Sequence, residues 1–264
     1  MTADEGLRAP VSADSRELEG RVAIVTGGAS GMGLATVHAL ARRGATVAVF
    51  DLTAPDRGEL ASTLEVAADR IRSVAVDVTD SGQVERAFAS LLEELTRLDI
   101  LVNAAGIAPP TPFEDITEDE WGRVLAVSVN GTFLCCQRAL PAMRNGRWGR
   151  IVNFSSTAGK TISTAGGAHY TTAKHGVLGL TRHLAKAYGP DGVTVNAVCP
   201  GLIDTPMGRR LLPDGSLEAA TRSFPVPRVG LPWEVAELVA FLASDRAAYI
   251  TGAAVDINGG DLIV

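Results

Sequence analysis

Seven short apolar runs, separated by segments long enough to form helices, are the feature that most constrains the fold of this 264-residue chain. The runs are continuous rather than alternating, which is typical of strands buried on both faces. Parallel strands need a crossover of about helical length between them. The pattern therefore predicts an α/β fold, a single doubly wound parallel sheet of seven strands with helices on both faces. The predicted strands are residues 22–25, 46–50, 73–76, 100–102, 151–154, 193–198 and 254–257.

The domain organisation follows from length and local composition. A chain of this length can form one α/β domain, and we expect that domain to span residues 21–264. Residues 1–20 are polar and charged and are expected to be a flexible tail. Residues 204–231 contain several prolines, and an irregular segment of that length usually covers a binding site. We expect it to act as a substrate lid.

Charge and composition exclude several classes of partner. The net charge is −6 and 46% of the residues are hydrophobic, which does not favour binding to nucleic acid or to an anionic membrane. No apolar run reaches the roughly 18 residues of a transmembrane helix, so we expect a cytoplasmic protein. Cys135, Cys136 and Cys199 have neither metal-ligand nor disulfide spacing. They are expected to be reduced core thiols, and no metal site is predicted.

A glycine-rich turn directly follows the first predicted strand and opens a helix. Glycines allow a tight turn and a close backbone approach, and the helix N-terminus attracts a pyrophosphate. This strand–turn–helix context favours a dinucleotide site over the alternative of an ordinary βα turn, and it predicts a Rossmann-type fold. The candidate cofactor-binding residues of the turn are Gly27, Ser30, Gly31, Met32 and Gly33.

Asp51 ends the second predicted strand, 18 residues after Gly33. A carboxylate at that position can bind the adenosine ribose hydroxyls and would repel a 2′-phosphate. Neither Leu52 nor Ser30 is basic, so the sequence favours NAD over NADP. The alternative interpretation is that Asp51 is a turn or helix-cap residue.

Tyr170 and Lys174 lie four residues apart, a spacing that places both side chains on one face of a helix. A lysine ammonium beside a phenol favours the phenolate and is expected to lower the pKa of Tyr170. Taken alone, the same pattern describes an ordinary surface pair. The adjacent His169 either lines the mouth of a substrate site or has a structural role at the start of the helix.

The segments TGGASGMG, NAAG, YTTAK, CPG and YITGAAVDINGG occur in this order, and with them the chain resembles the short-chain dehydrogenase/reductase family over residues 20–264. Its nearest look-alikes in that family are 3-oxoacyl carrier-protein reductases and polyketide or sugar-alcohol reductases. The resemblance implies reversible hydride transfer between NAD and an alcohol–carbonyl pair. It also implies a catalytic Ser156, selected over Ser155 by the position of Gly159.

The resemblance assigns the remaining cofactor contacts. Besides Tyr170 and Lys174, they are Asp77, Val78, Asn103, Ala105, Gly106, Pro200, Gly201, Ile203 and Thr205.

Two departures from the family pattern affect the site. Counting from Trp121 and from Gly131 places Ser128 where the family usually has a catalytic asparagine, whereas Asn130 is out of register by two. A serine offers fewer hydrogen-bonding groups, so we expect a weakened or rearranged proton relay. The segment between Ser156 and Tyr170 is also one residue longer than usual, which is expected to reshape the substrate pocket.

The resemblance also suggests an assembly. Residues 117–143 and 168–188 are predicted helices with apolar faces that form a subunit interface in the family, and the C-terminal region forms another. A homotetramer is expected, with a dimer as the next alternative. Two other functions stay open: an NADPH-dependent biosynthetic ketoreductase, supported by the look-alikes, and a non-catalytic dinucleotide-binding sensor or scaffold, supported only by Ser128.

Overall fold

The computed structural model describes residues 16–163, 165–212 and 216–264, with the backbone alone for 216–218. The first fifteen residues of the predicted tail lie outside this range. Residues 16–20 do not belong to a tail, because Leu18 is buried and its backbone N–H donates to the carbonyl of Arg43. The domain therefore begins several residues before the predicted boundary.

The sheet has seven parallel strands in the order β3-β2-β1-β4-β5-β6-β7. This confirms the predicted fold class. The strands are β1 Val22–Thr26, β2 Thr46–Asp51, β3 Ile71–Ala75, β4 Ile100–Asn103, β5 Gly149–Phe154, β6 Val193–Pro200 and β7 Ala254–Ile257.

Nine α-helices are present in the described part of the chain, and none of them is both long and apolar enough to span a membrane. They are α1 Gly31–Arg42, α2 Arg57–Thr63, α3 Ser81–Leu95, α4 Glu118–Leu125, α5 Gly131–Asn145, α6 Ala168–Tyr188, α7 Pro206–Leu211, α8 Ser216–Thr221 and α9 Pro232–Leu242. A π-helical turn, Ala126–Asn130, joins α4 to α5.

Each face of the sheet has its own apolar core. On one face, Leu40 of α1 and Val239 of α9 belong to the same buried cluster as Val25 of β1. On the other face, Phe88 of α3 and Leu140 of α5 are buried with strand residues that point to that side. The sheet is therefore covered on both faces, which is why its central strands are continuous apolar runs.

The segment predicted to be an irregular lid contains two short helices, α7 and α8. Thr205 caps α7 by accepting a hydrogen bond from the backbone of Gly208, and Pro206 occupies the first helical position. Proline at that position costs no hydrogen bond, since the first N–H groups of a helix have no partner within it.

The strand order reverses between β1 and β4, which are neighbours in the sheet. β2 and β3 lie on one side of this pair, and β5, β6 and β7 lie on the other. In open α/β sheets, ligands bind beyond the carboxyl ends of strands at such a switch point. The loops that follow β1, β2, β4, β5 and β6 carry most of the candidate site residues.

Candidate functional site

The glycine turn after β1 is packed too closely for a side chain at Gly27 or Gly33. A methyl group on Gly33 would lie 2.0 Å from the carbonyl oxygen of Gly27, and one on Gly27 would lie 2.9 Å from the backbone of Ala105. Within the described structure, the side chain of Ser30 makes no capping hydrogen bond to α1. The backbone N–H groups and positive dipole end of α1 are therefore available to an anion, and the turn fits a pyrophosphate.

Asp51 lies beside this turn at the end of β2. Its Oδ2 atom accepts a hydrogen bond from Ala29 N at 3.0 Å, and its Oδ1 atom accepts one from Leu52 N at 2.8 Å. These bonds fix the carboxylate against the turn, and each oxygen keeps further acceptor capacity. The carboxylate can therefore accept ribose hydroxyls, as the sequence predicts.

Asp77 and Val78 follow β3, next to Asp51. The Oδ1 atom of Asp77 accepts hydrogen bonds from both the backbone N–H and the hydroxyl of Thr79. Val78 packs against Gly131, where an added methyl group would lie 2.8 Å from a valine methyl. The contact positions the start of α5 beside the predicted adenine side of the site.

Asn103 has a structural role in the sheet. Its side chain is buried and donates to the amide oxygen of Asn153 at 2.9 Å, which links β4 to β5. The side chain therefore supports the sheet and is not directed at the cofactor turn. The loop that it anchors brings the backbone of Ala105 against Gly27.

The loop that follows β6 crosses over the glycine turn. A methyl group on Gly31 would lie 3.4 Å from the Cγ2 atom of Thr205. Ile203 is buried and pairs with Gly230 in an isolated bridge, which fixes the loop on the domain. Pro200 ends β6, and the loop carries the other three predicted cofactor contacts of this segment, namely Gly201, Ile203 and Thr205.

The predicted catalytic residues form one cluster beyond β5. Ser156 follows β5 and accepts a hydrogen bond from Ala158 N at 3.1 Å, and its side chain is hydrogen-bonded to Tyr170. Lys174 lies one turn after Tyr170 on α6, with its Nζ atom 5.5 Å from the centre of the tyrosine ring. The same Nζ donates to the carbonyl of Phe154 at 2.8 Å.

The electrostatics of this cluster correct one expectation. Burial raises the pKa of Tyr170, and only the hydrogen bond from Ser156 opposes that rise. Burial also lowers the pKa of Lys174 to about 8. The net lowering of the Tyr170 pKa expected from Lys174 is therefore not seen among the described residues, because burial of the phenol dominates and the ammonium donates to the Phe154 carbonyl.

Ser128 lies in the π-helical turn and points inward. It is 1% exposed, and its hydroxyl has no hydrogen-bond partner among the described residues. A methyl group on Gly106 would lie 3.9 Å from this hydroxyl and 3.5 Å from Lys174 Nζ, so both groups border the same small space. Asn130 is exposed. A π-turn inside a helix often marks a functional site.

The loop with the extra residue is tied to its surroundings at both ends. Lys160 Nζ lies 2.7 Å from the carboxylate of Asp256 on β7. Ser163 N donates to the hydroxyl of Thr171 on α6. Ser155 behaves as a strand-end hydroxyl, because its side chain donates to the carbonyl of Lys174.

One partly buried pair beside Tyr170 was not recognised in the sequence. His169 is fully buried, and its Nε2 atom lies 2.8 Å from Oε1 of Glu120 on α4. The only sequence signal for Glu120 is the pattern Thr117-x-x-Glu120, which usually indicates a capping box at a helix start. Thr117 does cap α4, but the Glu120 carboxylate binds His169.

The comparisons with known proteins agree with this geometry. A family model described as enoyl-(acyl carrier protein) reductase matches residues 27–261. The 3-oxoacyl-(acyl-carrier-protein) reductase FabG of Thermotoga maritima is 37% identical over 246 residues, 93% of this chain and 99% of its own. The cis-4-hydroxycyclohexanecarboxylate dehydrogenase of Sinomonas cyclohexanicum is 42% identical over 241 residues, 91% of this chain and 96% of its own.

A solved structure, that of gox2181, is similar with a TM-score of 0.87 and 38% identity, covering 93% of this chain and 97% of that one. These similarities extend over both the nucleotide turn and the Ser156–Tyr170–Lys174 cluster. The chain belongs to the short-chain dehydrogenase/reductase family, whose members are oxidoreductases that use a nicotinamide dinucleotide.

Proposed function

We propose that the protein is an NAD(H)-dependent oxidoreductase that interconverts a secondary alcohol and a ketone. The observation that carries this proposal is the single cluster formed by the Ser156 hydroxyl, the Tyr170 phenol and the Lys174 ammonium. The cluster and the glycine turn after β1 lie at the same edge of the sheet. A bound dinucleotide supplies or accepts the hydride at that edge.

The protein side of the reaction is a proton transfer at a stabilised oxygen. Tyr170 donates its phenolic proton to the substrate oxygen during ketone reduction and accepts the hydroxyl proton during alcohol oxidation. Ser156, hydrogen-bonded to the same phenol, stabilises charge that develops on that oxygen. By family resemblance, Lys174 also holds the nicotinamide ribose.

The direction of the Tyr170 pKa shift bears on which reaction is faster at neutral pH. A phenol whose pKa is raised stays protonated, so it is ready to act as an acid. Ketone reduction therefore needs no change of protonation near pH 7. Alcohol oxidation needs the phenolate, and its rate should rise toward alkaline pH.

An absorbance assay tests the proposal directly. The purified protein is mixed with NAD and cis-4-hydroxycyclohexanecarboxylate, or with a 3-hydroxyacyl thioester, and NADH formation is followed. Turnover with NAD supports the proposal, and turnover with NADP alone favours the biosynthetic ketoreductase. Dinucleotide binding without turnover on any alcohol or ketone favours the sensor or scaffold.

Asp51→Ala is expected to change the choice of cofactor. Loss of a charged hydrogen-bond acceptor should weaken NAD binding roughly 10- to 150-fold, because such bonds contribute roughly 1.5–3 kcal/mol. Loss of the negative charge should improve NADP binding, so the NAD-to-NADP ratio falls further. Calorimetric titration with both nucleotides measures the effect. Asp69→Ala removes an equal charge at an exposed position and serves as the control. An unchanged ratio in the Asp51 variant would contradict the NAD assignment.

We also propose a homotetramer, with a dimer as the alternative. The support is apolar surface near β7 and the C-terminus, where Tyr249, Ile263 and Val264 are exposed in the single chain. Such side chains are usually covered by a partner. Light scattering on the wild type should give four protomers. Ile263→Asp combined with Val264→Asp should give smaller assemblies, whereas a monomeric wild type would overturn the proposal.

A further inference from the structure

His169 is a buried titratable group that the proton transfer described above does not use. It is the second residue of α6, immediately before Tyr170, and its side chain is 0% exposed. Both of its ring nitrogens are engaged. The Nδ1 atom accepts the backbone N–H of Tyr170 at 2.8 Å, and the Nε2 atom contacts Glu120 Oε1 at 2.8 Å.

These two bonds determine the tautomer of the imidazole. Because Nδ1 accepts a hydrogen bond, the ring proton is on Nε2, which then donates to the carboxylate of Glu120. The carboxylate is held in its ionised form, since bonds from the Thr111 side chain and from His169 lower the pKa of Glu120. Two successive hydrogen bonds therefore link the backbone N–H of Tyr170 to the imidazole and the imidazole to Glu120 on α4.

The first turn of α6 has backbone N–H groups that a side-chain acceptor such as His169 can bind. A helix leaves its first N–H groups without partners, and a side chain at the N-cap usually satisfies one of them. Here the N-cap is Gly167, and the described structure has no side-chain cap at this helix. The N–H of Tyr170, the residue whose phenol must be held in place, is shared between the Gly167 carbonyl at 3.1 Å and His169 Nδ1 at 2.8 Å, so the imidazole adds a second, shorter bond to this turn.

The imidazole has little freedom to move. A methyl group on Gly167 would lie 2.6 Å from Cε1 of His169 and 2.8 Å from the carbonyl oxygen of Thr111. Gly167 N also donates to the carbonyl of Pro109 at 3.1 Å. The loop after β4, the end of the lengthened loop, α4 and α6 therefore meet at this ring.

We propose that His169 and Glu120 are a positioning pair that reinforces the first turn of α6 and fixes the Tyr170 phenol against Ser156. The proposal rests on the proposed function only in taking Tyr170 as the proton donor and acceptor. Glu120 orients His169, and His169 orients the first turn of α6. Neither residue exchanges a proton with the substrate.

The test uses the small number of tyrosines in the chain. Only Tyr170, Tyr188 and Tyr249 are present, so ¹³Cζ-tyrosine labelling of the full-length protein gives three NMR signals that tyrosine-to-phenylalanine variants can assign. The variants are Glu120→Ala, Glu120→Gln, His169→Phe and the double variant Glu120→Ala/His169→Phe. His175→Phe is the matched control, because His175 is exposed on the same helix. Ser156 and Lys174, the groups that face the phenol, are intact in every variant.

The proposal predicts a specific set of results. Glu120→Ala and His169→Phe should each displace the Tyr170 signal and its titration midpoint, with Tyr188 and Tyr249 unchanged. Each should lower kcat roughly 10- to 100-fold on cis-4-hydroxycyclohexanecarboxylate with NAD, with the KM for NAD unchanged. Glu120→Gln should retain most activity, since its amide oxygen still accepts the Nε2 proton. The double variant should be no worse than His169→Phe alone, because the two residues act in one chain.

Other results would overturn the proposed positioning role of His169 and Glu120. A lower melting temperature with an unmoved Tyr170 signal and unchanged kcat would make the pair merely structural. If His169→Phe does not fold, the Tyr170 NMR signal and kcat of the Glu120 variants test the proposal instead. A wild type without turnover, in which Glu120→Ala still moves the Tyr170 signal, would refute the proposed function and leave the positioning pair standing.

Discussion

Replacing Tyr170 by phenylalanine is expected to lower turnover about 1,000-fold, within the range that a positioned acid–base group contributes. The substitution removes one hydroxyl and keeps the ring that packs against Gly166. Dinucleotide affinity and melting temperature should therefore change little. Steady-state kinetics combined with nucleotide titration separates these effects.

The control for this variant is Tyr249→Phe, which makes the same chemical change at a fully exposed residue. It should leave turnover at the wild-type level. Full activity in Tyr170→Phe would remove the basis of the proposed function. An equal loss in both variants would point to a general disturbance of the fold.

Lys174→Met is expected to lower turnover on the order of 100-fold while making the protein more stable at pH 7. Lys174 is 5% exposed, and burial of its charge lowers its pKa to about 8 from 10.5. A methionine of similar length fills the same space without a charge. Its gain should be about 1–3 kcal/mol in the free energy of unfolding, reduced by loss of the bond to the Phe154 carbonyl.

The pH dependence of this gain has a definite sign. Below pH 8, Lys174 is protonated in both the folded and the unfolded chain, so the cost of burying its charge is fully present. Between about pH 8 and 10.5, the folded chain releases the proton and the unfolded chain keeps it. The wild-type free energy of unfolding then rises by up to about 3 kcal/mol relative to the variant.

Chemical denaturation at several pH values measures the difference between the two proteins. Lys186→Met is the control, because Lys186 is exposed on the same helix. It should show neither the gain at pH 7 nor the loss of turnover. A Lys174→Met protein that is less stable than the wild type at every pH would mean that the bond to Phe154 outweighs the cost of burial.

The central strands could be located from sequence because both of their faces are buried. β3 was predicted at residues 73–76 and found at Ile71–Ala75. It is an edge strand and only half buried, and Arg72 interrupts its apolar run. The limits of β3 therefore leave a weaker signal in the sequence than those of strands buried on both faces.

The helices of the lid segment were missed for a different reason. α7 and α8 have six residues each, too few for a helical period to show. Thr205 followed by Pro206 is nevertheless a helix-start pattern, and the structure uses both residues in that way.

The proximity of Ser156, Tyr170 and Lys174 could be predicted because they are close in sequence and fixed by motif spacing. Glu120 could not, since it lies 49 positions before His169 and meets it only in the folded chain. The expected effect of Lys174 on the Tyr170 pKa also failed for a tertiary reason. Helical spacing places the two residues on one face but does not show that Lys174 bonds the end of β5.

The π-helical turn at Ala126–Asn130 sets the rotational phase between two helices with different functions. One extra residue within a helix rotates the side chains that precede it by about 100° about the helix axis, relative to the side chains that follow it. α5 is fixed by the contact of Gly131 with Val78, and α4 presents Glu120 to His169. Removing a single residue from this turn would keep every side chain named above and still turn Glu120 away from the imidazole. The length of this turn is therefore as much a part of the site as the residues it carries.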